Sequence, residues 1–363
     1  MNIGFVYNVR HVKPDLQNPD YIKQAEFDEP STISGIYDAL RELGHEIYCI
    51  EADENAYTKL KSHKDKLDLV FNIAEGLHGR DREAHLPAIL EMLQIPYTGP
   101  SPLGYALGLD KALAKEVMIT NGIATPDFVL IEDINQLKEE MVPFLPAIVK
   151  PVGEGSSKGI TAKNLVFEFE ELKEVAEEII NEHKQAVLVE KYLRGREFTV
   201  GVLGTPARTL PIIEITFNGL PENMPKFDHY EAKWIFDNPE KGTDPLICPA
   251  KLSISLRQEI ISITLNAFKA LHMADWARFD LRLDENKKPS ILEVNCPPGL
   301  IPNPEENSRF PRAALSAGLE FKDVIEEILK SACMRYGIHY QGKRKKNYFI
   351  FKKNAKRQTI TTS

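Results

Sequence analysis

The chain has 363 residues, 43% hydrophobic and 27% charged, which is ordinary for a globular protein and enough for two or three domains. Its formal net charge of -8 argues against nucleic acid as the main partner, because phosphate binding needs a concentrated basic surface. Cys49, Cys248, Cys296 and Cys333 lie far apart with neither CxxC pairing nor metal-ligand spacing, so neither a zinc site nor a disulfide scaffold is indicated.

Ile3 to Tyr7 reads as a short buried strand, followed by an irregular stretch and a helix from Ser31 to Gly44. Strands at Ile47–Ile50 and Leu67–Ile73 and a helix at Glu83–Leu93 complete an alternation typical of an open parallel sheet. The Pro and Gly cluster from Pro96 to Gly104 closes this unit. A helix from Asp110 to Asn121, a strand at Phe128–Ile131, a helix from Asp133 to Met141 and a strand at Ala147–Lys150 come next. That last strand runs into a glycine-rich turn, Gly153 to Gly159, before a helix at Glu168–Glu182 and a strand at Ala186–Glu190.

The remainder alternates less regularly. Strands are expected at Glu197–Leu203, Leu210–Ile215, Ala277–Leu283 and Ser290–Val294, with helices at Ser253–Leu271 and Phe321–Met334. The fold class is therefore α/β, passing to α+β in the C-terminal part. The expected division is 1–100, 101–185, 186–340 and a basic tail, 341–363, that stays solvated and flexible or contacts a partner. The apolar run near Met1 is too short for a signal segment and no later stretch approaches a membrane span, so no membrane and a cytoplasmic location are expected.

Three groups of residues carry chemistry. The Gly153-Glu154-Gly155-Ser156-Ser157 run offers backbone N–H groups that can curl around phosphate oxygens, with Lys150 supplying a cation, although such a turn can equally be a plain surface loop. Asp280, Glu293 and Asn295 interrupt apolar strands, and buried carboxylates are costly unless paired or metal-bound. Three hard oxygen donors suit Mg²⁺; pairing with Arg278 is the alternative. Around Val187 to Leu193, followed by Glu197, acids and backbone groups gather where one strand ends and the next begins; a carboxylate there could accept ribose hydroxyls, or the stretch could be a solvated hairpin.

The order Asp110-Lys111, Ile148-Val149-Lys150-Pro151, Glu154-Gly155-Ser156-Ser157, Glu190-Lys191, Arg196-Glu197-Phe198-Thr199, Tyr230-Glu231-Ala232-Lys233, Cys248-Pro249-Ala250, Arg278-Phe279-Asp280 and Glu293-Val294-Asn295 resembles that of D-alanine–D-alanine ligases, over residues 1 to about 335. The resemblance implies an ATP-grasp fold behind an N-terminal open parallel α/β (preATP-grasp) domain. It also implies ATP with two Mg²⁺ ions, Mn²⁺ being an alternative. On that resemblance Lys111 and Lys150 contact phosphates, Glu190 lies near the adenine amino group, Lys191 and Leu193 flank the adenine, and Glu197 holds the ribose. Lys233 reaches the transferred phosphate, the loop at Ser156 closes over it, and Asp280, Glu293 and Asn295 ligate metal. Arg278 and the Gly299 N–H stabilise the oxyanion.

By the same resemblance Glu29 anchors the ammonium of the first amino acid, or else it is an acid favoured beside a helix N-terminus. The reaction implied joins a carboxylate to an amine through an acyl phosphate, with release of ADP and phosphate, in an enzyme that is often a homodimer. Three places depart from the family. Trp234 stands where it has a Tyr that joins a hydrogen-bonded triad, and an indole has no acceptor. Pro302, Asn303, Pro304, Glu305 and Glu306 occupy the acceptor stretch, with Arg309 and Arg312 close enough to offset the acids. The Glu75–Glu83 segment, with His78, Arg80 and Arg82, differs from the family's His-Gly and Gly-Glu-Asp-Gly pattern. A ligase for a substrate other than D-alanine and a non-catalytic ATP-binding module are the alternative readings.

Overall fold

The computed structural model describes residues 1–13, 18, 21, 24–155, 158–233, 244–303, 306 and 308–342. It begins with a three-stranded parallel sheet in the order β2-β1-β3, formed by β1 (Asn2–Tyr7), β2 (Glu46–Glu51) and β3 (Leu69–Asn72). α1 (Pro30–Glu42) starts with Pro30 at its first position, where the missing N–H costs nothing. α2 (Ala56–His63), a helix beyond those expected from the sequence, and α3 (Arg82–Leu93) cover the sheet. The expected alternation of strand and helix is present.

The Pro96–Gly104 cluster does not simply end a unit: Pro102 opens helix α4 (Pro102–Leu109), and the Ser101 hydroxyl accepts from the Gly104 N–H at 3.4 Å. After α5 (Lys111–Thr120) and β4 (Phe128–Ile131), the helix expected from Asp133 to Met141 is replaced by two short 3₁₀ turns, Ile134–Gln136 and Glu139–Met141. The Asp133 carboxylate takes both the N–H and the side-chain amide of Asn135, and Pro143 biases Val142 away from the helical region.

Strand β4 belongs to a four-stranded antiparallel sheet, ordered β4-β7-β5-β6, with β5 (Ala147–Pro151), β6 (Leu165–Val166) and β7 (Val187–Lys191). α6 (Phe169–His183) packs Leu172, Ala176 and Ile179 onto it. The six-stranded antiparallel sheet runs β11-β10-β8-β12-β13 with β9 beside β8; its strands are β8 (Glu197–Leu203), β9 (Arg208–Thr209), β10 (Ile213–Ile215), β11 (Leu246–Ile247), β12 (Trp276–Leu283) and β13 (Pro289–Asn295). The strand expected to begin at Leu210 starts only at Ile213, since Pro211 has no N–H for a ladder bond.

Two of the cores draw on more than one of the expected stretches. One cluster joins Phe5 and Phe71 of the first sheet and Ile36 of α1 to Trp276, Phe310 and Ile325 of the C-terminal part, Phe310 lying on α8 (Arg309–Ser316) and Ile325 on α9 (Phe321–Tyr336). On the other face of the six-stranded sheet, α7 (Ile254–Ala270) shares a cluster with Ala114 and Met118 of α5, so α5 sits at the seam between the two antiparallel sheets. The basic tail after Gly342 lies outside the described residues.

Candidate active site

A cleft opens between the two antiparallel sheets, with an apolar wall of Ile148, Ile160, Leu193, Phe227 and Leu292. Lys150, Glu154, Gly155, Glu190, Lys191, Glu197, Asp280 and Glu293 also line it. Residues spread from Ile148 to Glu293 are thus gathered because β5 and β7 face β8, β12 and β13.

On one side of the cleft the Glu190 carboxylate is shared by two ammonium groups, Lys150 Nζ at 2.9 Å and Lys115 Nζ in a short ion pair. Burial brings Lys115 down to about 8, while Glu190 and Glu293 overcome the burial of Lys150 and hold it above its ordinary value. Lys111 Nζ reaches the Glu154 carbonyl and stands 3.6 Å from the Glu293 carboxylate. Three ammonium groups thus face two carboxylates in a water-poor pocket, an excess of positive charge that a polyanion would relieve. Glu190 is committed to this triad, and the Lys191 N–H is spent on the Asp127 carbonyl at 2.9 Å.

Opposite lies the acidic pair. Asp280 and Glu293 are register partners across β12 and β13, beside a β-bulge at Asp280/Leu281. The Asn295 amide lies 3.0 Å from Asp280 Oδ2, so three oxygen-bearing side chains converge. Arg278 also donates to both Asp280 oxygens, at 3.0 and 3.2 Å, which forms the pairing that sequence left open. Burial opposes the Asp280 charge, but Arg278 outweighs it and holds the carboxyl well below the usual range. Among the described residues no three His, Cys, Asp or Glu side chains form a metal-holding group. Two carboxylates with an amide fit an ion that takes the rest of its shell from water and phosphate, as Mg²⁺ does.

Farther along the same wall, Arg309 grips Asp228 through two 2.7 Å bonds, and Arg282 pairs with Glu197 at 2.9 Å. Burial pushes Glu197 up to about 7 against the pull of Arg282, and burial together with Arg309 lowers Lys233 to about 8. By sequence Arg309 could offset the acids at Glu305 and Glu306 or bind a carboxylate; in the fold it is paired with the carboxylate of Asp228, 81 positions away. Arg312 likewise reaches Asp244, at 2.5 Å. Trp234, Pro304 and Glu305 lie outside the described residues, as do Ser156 and Ser157.

The glycine-rich turn is held from two directions. Gln185 accepts the Gly153 N–H at 2.7 Å and donates to the Glu154 carboxylate at 2.7 Å. Burial opposes the Glu154 charge, but Lys158 at 3.0 Å and Arg82 at 3.5 Å keep that carboxyl below its ordinary value. From the N-terminal lobe, Glu26 accepts the Gly155 N–H at 2.8 Å and Arg82 donates to the Gly153 carbonyl at 3.1 Å.

Other predicted residues sit apart from the cleft wall. Glu29 caps α1 without a side-chain cap bond and pairs instead with Arg10, the residue that any ammonium ligand would have to displace. The Gly299 carbonyl lies 3.4 Å from the Ser308 hydroxyl, which also receives the Ile301 N–H at 3.3 Å. Lys115, Glu26, Asp228 and Ser308 were missed from sequence, and Arg82, singled out there in the segment that departs from the family, holds the glycine-rich turn. Lys115 carried a faint signal, lying one helical turn beyond Lys111 on the same face.

A family model described as the D-ala D-ala ligase C-terminus matches residues 117–330. An uncharacterised protein, y4sG of Sinorhizobium fredii, is 36% identical over 305 residues, 82% of this chain and 86% of that protein. The D-alanine–D-alanine ligase of Aquifex aeolicus is 37% identical over 297 residues, 80% of this chain and 91% of that protein. Two crystal structures of D-alanine–D-alanine ligase from Bacillus anthracis, one complexed with ATP, align with TM-scores of 0.68 and 0.69 at 22% and 24% identity. Both cover 93% of this chain and 99% of the other, which establishes a common fold.

Proposed function

Because the chain belongs to the D-alanine–D-alanine ligase family, an ATP-dependent ligase forming an amide bond, we propose that the cleft between its antiparallel sheets is the ligation site and D-alanine its first candidate substrate. The observation that carries this reading is the pair of charge clusters facing one another across the cleft. Lys111, Lys115 and Lys150 carry more positive charge than Glu190 and Glu293 remove, and Asp280 with Glu293 supplies hard oxygen donors opposite.

ATP with Mg²⁺, two ions by the family resemblance, supplies the phosphoryl group that activates a carboxylate as an acyl phosphate. The chain's own residues position and neutralise. Lys150 and Lys111 steady the phosphate oxygens, and Asp280, Glu293 and Asn295 hold the metal side. The apolar wall, with Leu193 and the Lys191 backbone, takes the adenine, and Glu190 orders the lysines beneath it. Glu197, polarised by Arg282, takes the ribose. Lys233 faces the transferred group, and Arg278 with the Gly299 N–H receives negative charge as the amine attacks. Glu29 is the candidate anchor for the first ammonium, released from Arg10 when substrate binds.

The lobes 1–100, 101–185 and 186–340 and a homodimeric assembly belong to the same reading. Its dependence on ATP, and the four free cysteines, support a cytoplasmic location. Among the described residues no helix is long and apolar enough to cross a membrane. Phosphate release from Mg-ATP, with the coupled product identified by mass spectrometry, tests the proposal. D-alanine should give D-alanyl-D-alanine. Another amino acid giving its own dipeptide would replace D-alanine as substrate, and no phosphate above background with any carboxylate and amine pair would refute ligation.

A further inference from the structure

The Gly153-Glu154-Gly155 turn is fastened to the N-terminal lobe, none of whose described residues lines the cleft wall. Arg82, at the first position of α3, forms a two-point ion pair with Glu26, its Nη2 lying 2.8 and 2.9 Å from the two carboxylate oxygens. Both side chains are about nine-tenths buried. Each also holds the turn's backbone: Arg82 Nη1 donates to the Gly153 carbonyl at 3.1 Å, and Glu26 Oε1 accepts the Gly155 N–H at 2.8 Å. The bracket thus takes the carbonyl on one side of Glu154 and the N–H on the other, and Arg82 approaches the Glu154 carboxylate at 3.5 Å.

The approach is close enough that any side chain at position 155 would press on Glu26. A Cβ on Gly155 would stand 3.0 Å from Glu26 Oε1. Glu154 in turn offers its carbonyl to Lys111, one of the three lysines of the phosphate side. A shift of the turn would therefore move Lys111 together with Glu154 and Gly155, which line the cleft themselves.

We infer that Arg82 and Glu26 are positioning residues that lock the glycine-rich turn to the N-terminal lobe and thereby hold it and Lys111 against the nucleotide phosphates. The inference rests on the cleft's being the ATP site. Charge-assisted bonds to fixed backbone groups suit such a role, because they set the turn's position without touching ligand. By sequence, the family's Tyr-containing triad cannot be copied with Trp234 in its place. The Arg82–Glu26 bracket is a different attachment for the same segment.

The test uses the full-length chain and release of a fluorescent ADP analogue with Mg²⁺, followed by stopped flow. R82A and E26A should each speed release by about tenfold, the scale of one charge-assisted hydrogen bond to backbone. E26Q keeps an acceptor for the Gly155 N–H but loses the charge on Arg82, so it should fall between wild type and E26A; R82K should restore part of the loss. G155A, which leaves both side chains in place, should also speed release by displacing Glu26, and it serves if R82A fails to fold. KM for ATP should rise more than kcat falls. Wild-type release rates in R82A, E26A and G155A with unchanged thermal midpoints would overturn the inference. An absence of saturable ADP binding by the wild-type protein would instead overturn the assignment of the cleft.

Discussion

The Lys115 ammonium pairs with the Glu190 carboxylate inside the seam between the two antiparallel sheets, and both side chains are buried. Glu190 keeps Lys150 as a second partner at 2.9 Å, so K115M leaves a one-to-one pair rather than an orphaned charge. Breaking a buried pair costs about 3–5 kcal/mol, and the retained partner places this change at the lower end. K115M should therefore lower stability in urea by about 3 kcal/mol. It should also weaken ADP binding, because the excess positive charge is gone. Unchanged affinity by calorimetry would mean that the excess charge is not what draws the phosphates.

Asp280 answers to Arg278, Asn295 and, in the proposed function, a metal ion. D280N removes the charge while keeping the shape. Arg278 is then left buried without its carboxylate, and one hard ligand becomes a weaker one. Turnover should fall by about 100-fold, the scale seen when a preorganised electrostatic contact is lost. The Mg²⁺ concentration for half-maximal rate should rise as well. A variant with unaltered Mg²⁺ dependence would separate Asp280 from the metal.

Much of this site was legible because strands announce themselves. Ile148-Val149-Lys150 and Phe279-Asp280-Leu281 are apolar runs broken by a single charge, and a charge in a buried strand demands a partner. The partners were less visible. Arg82 lies 71 positions from Gly153 and Glu26 lies 129 from Gly155, so no local spacing relates them. Arg309 stood beside acids in sequence, yet α8 turns it toward Asp228. The stretch from Asp133 to Met141 carries good helix formers, and a single Asx-type contact at Asp133 with Pro143 beyond defeats them. Local propensity marks elements; long-range ion pairs need the topology.

Glu83 lies near Glu26 and Glu75, and burial first, then the Glu26 charge, raises it to about 8. An unfolded chain releases this proton near the ordinary carboxylate value, so the folded state holds it more tightly across the window from about 4.5 to about 8. The group's contribution to stability is complete below that window and is lost as pH rises through it. E83Q, which cannot ionise, should match wild type in thermal midpoint at pH 4 and exceed it at pH 9. Equal midpoints at both values would show that Glu83 ionises normally in the folded protein.

Lys233 gives the opposite sign. Burial, reinforced by Arg309 and Arg278 and only partly offset by Asp228, lowers its ammonium to about 8. If that charge receives the transferred phosphoryl group, kcat/KM for ATP should fall as pH rises through about 8. Stability moves the other way. The unfolded chain keeps the Lys233 proton toward 10.5 while the folded protein has already released it, so between about 8 and 10.5 this group favours the folded state as pH increases. Unfolding through this group therefore cannot account for the loss of activity in that window. K233R holds its charge above pH 12 and should remove the alkaline limb at the expense of a lower plateau, since a planar guanidinium does not reproduce the ammonium's geometry. A K233R profile that still declines near pH 8 would assign that limb to another group.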